Sequence, residues 1–394
     1  MSILPKELIP PRQSQETRRI SPILRATGIA AIVLAGILLI TFIGHPANRD
    51  FIEYWTSASL LMHRSNPYSA AGILNLEKAH GFTGATPLIM LNPPWTLFLI
   101  APLGLFPVRE GLFLWTLFAV GCLLGSVRIL NVSTNARGFA YVFAPFVICL
   151  FSSQSSPFLL LGFALFLRFH ASRPFWAGAS LLLMAIKPHL FLIFWAVLLM
   201  DATYRRRLRI FAGFTAALAT ASAFPLFFDP RIWQQYFALA LGYKAVRQAF
   251  LPTASMLFRA LIDVHTFWLL FVPSAFAIIW GFWYYTRNRR SWEWTSHGML
   301  LMLATILASP YSYFSDEIVL LPAILFALAL PEKRKYSAWL LLAINTIALC
   351  LVFTGHGLSS RSYLWTPVTW LAWFLYAVYR PQAHTPTEVY PSVA

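Results

Sequence analysis

Residues 22–43 read PILRATGIAAIVLAGILLITFI. A helix needs about 20 apolar residues to cross the hydrocarbon core of a bilayer, so this run is long enough to span it. It is long for the apolar core of a signal peptide and lacks a clear small-x-small cleavage site, which favours an uncleaved anchor over a cleaved signal peptide. The polar, basic residues 1–21 then form a tail that we expect on the cytoplasmic side.

The composition of the whole chain agrees with a membrane protein. It is 58% hydrophobic and 11% charged, whereas soluble domains carry about 25% charged residues. Its apolar runs are continuous rather than alternating, which predicts an all-α, polytopic helical bundle and not a barrel. The net charge is +16. Much of the basic charge lies in short clusters between apolar runs, which is typical of cytoplasmic loops rather than of a nucleic-acid surface. These clusters are Arg18-Arg19, Arg205-Arg206-Arg207, Arg287 to Arg290 and Lys333-Arg334-Lys335.

Further apolar runs follow the anchor and predict about twelve transmembrane helices in one domain over residues 22–380, with the tail 381–394 also cytoplasmic. They lie at 93–107, 110–130, 138–152, 157–169, 174–200, 208–228, 264–286, 296–311, 316–331, 336–354 and 363–380. Two runs are ambiguous. Residues 93–107 are short and flanked by proline, and residues 174–200 contain Lys187-Pro188 at their centre and can form two short helices.

Two polar stretches, 44–92 and 229–262, are predicted to be external loops under this topology. Within the first, residues 51–64 carry apolar side chains at helical spacing. That spacing predicts an amphipathic helix that lies on the membrane surface.

A carboxylate pair, Asp50 and Glu53, follows the anchor directly. A helix would place residues at i and i+3 side by side. Two close carboxylates in a partly apolar site raise at least one pKa, which suits a general base. A structural alternative stays open, in which Asp50 caps the helix and Glu53 completes a capping-box-like pattern.

Lys187 and the stretch 309–317 are the other polar features within apolar surroundings. A lysine at mid-membrane costs about 2.5–3.5 kcal/mol and usually faces a polar cavity, where a phosphate ligand would supply negative charge. Snorkelling or an ion pair with a structural acid is the alternative. Stretch 309–317 ends in Asp316-Glu317 and is rich in tyrosine, which suits sugar stacking, although a plain interhelical turn would also explain it. No Asp-x-Asp motif occurs in the chain, which argues against a nucleotide-sugar donor and for a lipid-phosphate donor.

These pieces, in this order, resemble glycosyltransferase family 87, a GT-C-type family of mannosyltransferases that use polyprenol-phosphate mannose. The resemblance covers about residues 25–380 and rests on Asp50 with Tyr54, Pro67-Tyr68, Pro93-Pro94, Gln154, Lys187-Pro188, Ser309-Pro310 and Asp316-Glu317. The chain departs from the family pattern at Asn92, where tyrosine is common, and at Ser153, where glycine is common. It also has Ser315 or Asp316 where histidine is common.

The resemblance implies a GT-C-like fold with its active site on the outer face of a bacterial-type inner membrane, surrounded by membrane lipids. It implies transfer of a hexose, with mannose expected, from a polyprenyl-phosphate donor to a glycan or glycolipid acceptor. Asp50 would act as general base with inversion, and neither a metal ion nor a cofactor is expected. Substrate contacts are expected from Glu53, Tyr54, Tyr68, Gln154, Lys187, His189, Tyr313 and Asp316. Lys244, Arg247 and Arg361 are further basic candidates for the leaving phosphate.

Two other classes of membrane protein remain as alternatives. A transporter would fit about twelve spans and an intramembrane lysine, but the structured first loop and the lack of an internal repeat argue against it. A ligase that uses lipid-carrier polysaccharide would be expected to place its decisive loop late in the chain, whereas these acidic residues begin early.

Overall fold

The computed structural model describes residues 49–242, 251–330, 336–356 and 360–378, and its regular structure within these ranges is helical, with no strand. The all-α prediction is therefore confirmed for this part of the chain. The predicted anchor at 22–43, the two terminal tails, Lys244 and Arg247 lie outside the described residues.

The helices follow one another through short turns. In chain order they are α1 Phe51–Met62, α2 Ala70–Ala79, α3 Leu97–Ile100, α4 Val108–Leu130, α5 Thr134–Tyr141, α6 Ala144–Ser152, α7 Ser156–Phe169, α8 Pro174–Met184, α9 Leu192–Tyr204, α10 Arg209–Ala223, α11 Ile232–Gly242, α12 Ala254–Ile262, α13 Val272–Asn288, α14 His297–Leu307, α15 Leu321–Ala329, α16 Ser337–Leu351 and α17 Thr366–Val378. Short 3-10 segments lie at Pro94–Thr96, Ala101–Leu105, Pro188–Phe191, Phe224–Phe227, Phe267–Phe271, Phe314–Leu320 and Ser360–Tyr363, and a π-helical turn at Val352–His356.

Helical segments occupy every apolar run predicted from residue 93 onward. By length and composition, four helices among the described residues can cross a membrane: Val108–Leu130, Arg209–Phe227, Phe267–Asn288 and Ser337–Thr354. The remaining apolar helices have 10–17 residues, fewer than the roughly 20 that a crossing requires. The total of twelve spans therefore stays a prediction.

The ambiguous run 174–200 forms two short helices, as one of its two interpretations anticipated. α8 ends at Met184, a 3-10 turn begins at Pro188, and α9 begins at Leu192. Proline disfavours helical geometry for the residue before it, and Lys187 accordingly has φ −128° and ψ 71°. The break thus places the lysine at a turn between two helices rather than on the face of a continuous helix.

α8, which leads into this turn, packs against α10 backbone to backbone. A Cβ atom added to Gly178 would lie 1.9 Å from the Ile210 carbonyl oxygen, and one added to Gly213 would lie 1.9 Å from that of Phe175. Glycine at such crossings lets helices approach closely in a membrane. Any larger residue at either position would separate the two helices.

The prediction of a surface-lying helix at 51–64 is wrong in its placement. A helix does form at α1, but none of its residues is exposed, and Gly104 is so close that an added Cβ would lie 2.5 Å from the Ala58 carbonyl carbon. The polar face can be buried because its hydroxyls are small and bond to backbone carbonyls. Thr56 Oγ1 donates to Ile52 O at 2.8 Å, and Ser57 Oγ donates to Pro67 O at 3.2 Å.

Two of the basic clusters meet at one end of the bundle. The Arg205 side chain forms an ion pair with buried Asp201 at 2.8 Å and donates to the carbonyl oxygens of Arg289 and Trp292 at 3.2 and 2.8 Å. Helix α9 has 13 residues, so its other end, beside the Lys187 turn, is roughly 20 Å away. The lysine turn and the basic clusters therefore lie at opposite ends of α9.

Candidate active site

A cavity of about 610 Å³ lies at the Lys187 end of the bundle, within the size range of small-molecule sites. Segments far apart in sequence supply its walls: the start of α1, the α6–α7 turn, the α8–α9 turn and the loop before the 3-10 segment Phe314–Leu320. Its lining includes most of the residues predicted for a site, namely Asp50, Glu53, Tyr54, Gln154, Lys187, His189, Tyr313 and Asp316.

A continuous hydrogen-bonded chain runs along one wall of the cavity. The amide nitrogen of Gln154 donates to Asp50 Oδ2. Lys187 Nζ donates to Gln154 Oε1 at 2.9 Å and to Asp316 Oδ1 at 2.7 Å. Ser156 Oγ donates to the same Asp316 oxygen. These side chains therefore join the four segments. Asp50, Gln154, Lys187 and Asp316 were each predicted from the sequence, whereas Ser156 was not and lies in the polar run beside Gln154.

Asp50 occupies the N-cap position of α1, yet its side chain makes no capping hydrogen bond. The capping-box alternative is therefore wrong. The Asp50 backbone N–H donates to Ser152 O at 3.1 Å, and its carboxylate turns toward Gln154 instead. Within the described part of the chain, Oδ1 accepts no hydrogen bond, so one carboxylate oxygen stays available to a ligand. Burial raises the pKa of Asp50, and the Gln154 hydrogen bond opposes that rise.

Glu53 lines the cavity one helical turn later and is partly buried. Burial, with a further contribution from the charge of Asp50, raises the pKa of Glu53 to about 8. The expectation that closely spaced carboxylates in an apolar site have raised pKa values therefore agrees with the structure. Near neutral pH, Glu53 is mainly protonated and can donate a hydrogen bond as well as accept one.

Lys187 combines the two interpretations that its sequence position left open. It is paired with an acid, Asp316, and at the same time it lines the cavity. An ammonium group has three N–H donors, and the contacts to Gln154 and Asp316 use two of them. Its nitrogen also lies 5.8 Å from the centroid of the Tyr313 ring. The third donor is thus available for an anionic or hydroxylic ligand.

The adjacent acids Asp316 and Glu317 have different roles. Asp316 faces the cavity and also accepts from the Tyr313 backbone N–H at 2.9 Å. Glu317 is fully buried and accepts from Thr366 Oγ1 at 2.6 Å and Trp370 Nε1 at 2.7 Å. Glu317 therefore connects the 3-10 segment to α17 and is a structural residue.

Aromatic rings cover much of the remaining cavity wall. His189 stacks on Tyr311 with 3.9 Å between ring centroids, and Tyr54 stacks on Trp115 at 5.0 Å. The Tyr54 hydroxyl also donates to Ser155 Oγ at 3.2 Å. Two further tyrosines line the cavity that were not predicted as site residues. Tyr311 lies within the stretch 309–317, and Tyr236 lies in α11, where the sequence gave no signal for it.

Tyr68 does not line the cavity. It is buried, its hydroxyl donates to Asn92 O at 3.4 Å, and its ring contacts Tyr236 at 5.5 Å between centroids. Asn92 Nδ2 in turn donates to Ile186 O at 2.9 Å, next to Lys187. Tyr68 thus supports from behind a cavity wall to which Asn92 itself belongs. Arg361 is exposed and lies outside the lining.

The turn that carries Gln154 depends on Ser153, which has φ 59° and ψ 40° in the left-handed region. Glycine adopts this conformation without strain, whereas a residue with a Cβ atom does so at a cost. The turn is held by the Gln154 N–H, which donates to Cys149 O at 3.0 Å, and by Trp115 Nε1, which donates to Ser153 O at 2.9 Å. The departure from the family pattern at residue 153 therefore falls on the one position in this turn where glycine is favoured.

Comparison with known proteins identifies a family. The model of a family described as glycosyltransferase family 87 matches residues 90–310, more than half of the chain. The matched range contains Gln154, Lys187 and His189, whereas Asp50 and Asp316 flank it and reach the same cavity through the fold. No curated protein and no solved structure matches the chain. The helical membrane architecture and the family match together show that the chain belongs to glycosyltransferase family 87 and is a membrane glycosyltransferase.

Proposed function

We propose that this transferase moves a hexose, with mannose as the first candidate, from a polyprenyl-phosphate donor to a hydroxyl of a glycan or glycolipid acceptor, with inversion. The observation that carries the proposal is the position of Asp50 in the cavity wall. Its carboxylate accepts a hydrogen bond from Gln154 through one oxygen, and the other oxygen is available to a ligand. We place the cavity at the outer face of a bacterial-type inner membrane, with residues 22–380 forming one GT-C-like membrane domain and the N-terminus in the cytoplasm. Segments 44–92 and 229–262 are then external.

In the proposed reaction, the acceptor hydroxyl donates its hydrogen bond to Asp50 Oδ1. Asp50 takes the proton as the hydroxyl oxygen attacks the anomeric carbon from the face opposite the phosphate. The bond from that carbon to the phosphate oxygen breaks, its electron pair leaves with the phosphate, and the configuration inverts. Burial raises the pKa of Asp50 toward the working pH, which is the direction that improves a general base.

The leaving phosphate carries negative charge, and the third N–H of Lys187 is positioned to bind it. Fixed donors stabilise such a charge more strongly in a dry cavity than in water. Asp316 holds the ammonium in place but also neutralises part of its field, so we expect a directed hydrogen bond rather than a strong long-range attraction. The scheme has no step that uses a metal ion or an organic cofactor.

Sugar recognition is assigned to the aromatic and acidic groups of the lining. Tyr54, Tyr313 and His189 contribute aromatic rings to the cavity lining, and such rings suit the apolar C–H faces of a hexose. Asp316 supplies carboxylate oxygens that accept hydrogen bonds from sugar hydroxyls, and the carboxyl group of Glu53 can accept or donate one. Membership of a glycosyltransferase family favours this scheme over a transporter. The convergence of early and late acids on one cavity favours it over a ligase with a single late loop.

The test compares membranes that contain the wild type, Asp50→Asn, or the matched control Asp263→Asn. Asp263 is an acid of the predicted external loop boundary that lies outside the cavity lining. Each preparation receives a labelled polyprenyl-phosphate hexose and a membrane acceptor pool. Loss of the general base should reduce transfer by about 100-fold or more, while the control keeps its rate. Equal transfer by Asp50→Asn and the wild type would refute the proposed mechanism, and retention of the anomeric configuration in the product would refute inversion.

A further inference from the structure

We propose that Gln154 is a positioning residue that fixes the Asp50 carboxylate for proton abstraction, and not a contact for the substrate. This inference rests on the proposed function, in which Asp50 is the general base. It replaces the expectation, drawn from the family resemblance, that Gln154 binds substrate directly.

The chemistry of its two neighbours fixes the orientation of the Gln154 amide. Lysine has only donors, so the amide oxygen must face Lys187 Nζ, which lies 2.9 Å away. The amide nitrogen then necessarily faces Asp50 Oδ2, which accepts from it. Both ends of the amide are engaged, and the side chain is almost fully buried. One N–H and one acceptor lone pair of Gln154 stay unused, so Asp50 and Lys187 already orient the amide before a ligand binds.

The same turn holds Asp50 at two points. The Asp50 backbone N–H donates to Ser152 O, and the Asp50 carboxylate accepts from Gln154 two residues later. The turn itself is fastened to α4 through Trp115 Nε1 and Ser153 O. An attachment of both the backbone and the carboxylate limits rotation of the side chain, so Oδ1 keeps its direction toward the cavity before the acceptor arrives. Such preorganisation of a reacting group is a recognised source of rate enhancement.

Gln154 also works as a neutral spacer between the base and the cation. A lysine in direct contact with Asp50 would form an ion pair, which would favour the ionised carboxylate and weaken it as a base. The amide instead donates one hydrogen bond to the carboxylate and accepts one from Lys187, so that Asp50 has no direct contact with the cation. The second function of Lys187, toward the leaving phosphate, remains separate from the proton transfer.

The experiment measures kcat and donor KM against pH for the wild type, Gln154→Met and Gln154→Glu. Methionine has nearly the same length but no donor to the carboxylate. One charge-assisted hydrogen bond is lost, so the acidic limb of the kcat profile should move to higher pH by about one unit or more. We expect the plateau kcat to fall by roughly 10-fold or more and the donor KM to stay within a few-fold. Glutamate keeps an acceptor for Lys187 but places a like charge beside Asp50, so its limb should move at least as far.

Asn92→Ala is the matched control, because Asn92 is another buried amide of the same cavity wall that bonds to Ile186 and not to Asp50. Its acidic limb should stay at the wild-type pH. Gln154→Asn keeps an amide on a shorter side chain and should show an intermediate shift, and it serves as the primary variant if Gln154→Met does not give a folded protein by thermal unfolding in detergent.

The outcomes separate this inference from the proposed function. In one outcome the Gln154 variants keep the wild-type acidic limb but have a raised donor KM, and Asp50→Asn is inactive. This result would make Gln154 a substrate contact and overturn the inference, while the assignment of Asp50 as the base stands. An active Asp50→Asn would instead overturn the proposed function itself. A shifted limb with an unchanged KM, alongside an inactive Asp50→Asn, supports both.

Discussion

Replacement of Ser153 by glycine should stabilise the protein, and the structure gives the size of the effect. Two unfavourable features meet at this residue. Its backbone is left-handed, which costs a residue with a Cβ atom about 1–2 kcal/mol, while the entropy that glycine loses on folding takes back about 0.5–1 kcal/mol. In addition, the buried Ser153 hydroxyl has no hydrogen-bond partner among the described residues, and such a group costs about 1–3 kcal/mol. We therefore expect a net gain of roughly 1–4.5 kcal/mol.

Ser153→Ala separates the two contributions, because alanine removes the hydroxyl but keeps the strained backbone. Glycine should exceed alanine by about 0.5–1 kcal/mol. The assay is unfolding of the detergent-purified protein by heat and by denaturant, followed by tryptophan fluorescence. Ser152→Gly is the control, since Ser152 ends a helix with its side chain bonded to Ile148 O and glycine there should destabilise. A Ser153→Gly protein that is no more stable than Ser153→Ala would show that residue 153 is not left-handed.

Three further predictions concern Glu53, Lys187 and Glu317. Burial raises the pKa of Glu53 from 4.5 to about 8, so the folded state binds more protons than the unfolded state in this window and wild-type stability falls as pH rises through it. Glu53→Gln cannot ionise and therefore does not lose stability in this way. Its free energy of unfolding relative to that of the wild type should increase from pH 5 to pH 8 in unfolding titrations. A difference that stays constant with pH would contradict the raised pKa of Glu53. Lys187→Ala should raise the donor KM and lower stability, because it leaves Asp316 buried without its cation. The double variant Lys187→Ala/Asp316→Asn should regain stability but not donor use. Unchanged donor kinetics in Lys187→Ala would show that Lys187 is not part of the site. Glu317→Gln should reduce the free energy of unfolding by about 1–3 kcal/mol through the bonds to Thr366 and Trp370, with kcat per folded molecule unchanged; a selective loss of kcat would place Glu317 in the reaction.

Much of the helical framework follows from the sequence because long apolar runs have few structural solutions in a membrane. The positions of the helices from residue 93 onward were predictable for this reason, whereas the break at Lys187-Pro188 was one of two interpretations that the proline left open. Asp50, Lys187 and Asp316 were also identifiable, because ionised side chains are rare and costly in such surroundings.

The partners and directions of side chains were not predictable in the same way. Asp316 and Glu317 are adjacent and chemically alike, and only the tertiary fold turns one to the cavity and the other to α17. The burial of α1 was missed because the pattern of its apolar residues is the same whether its other face meets water or the backbone of Gly104. Tyr236 could not be found, since nothing in α11 distinguishes it from the other aromatic residues there.

The ion pair between Lys187 and Asp316 has a consequence for biogenesis. The two residues are 129 positions apart, so the segment with the lysine is synthesised and enters the membrane long before the aspartate exists. An ionised side chain inside a membrane is costly when it has no partner. Insertion of the early helices therefore leaves the Lys187 ammonium without its carboxylate partner, and the later segment supplies that partner together with its own part of the cavity lining.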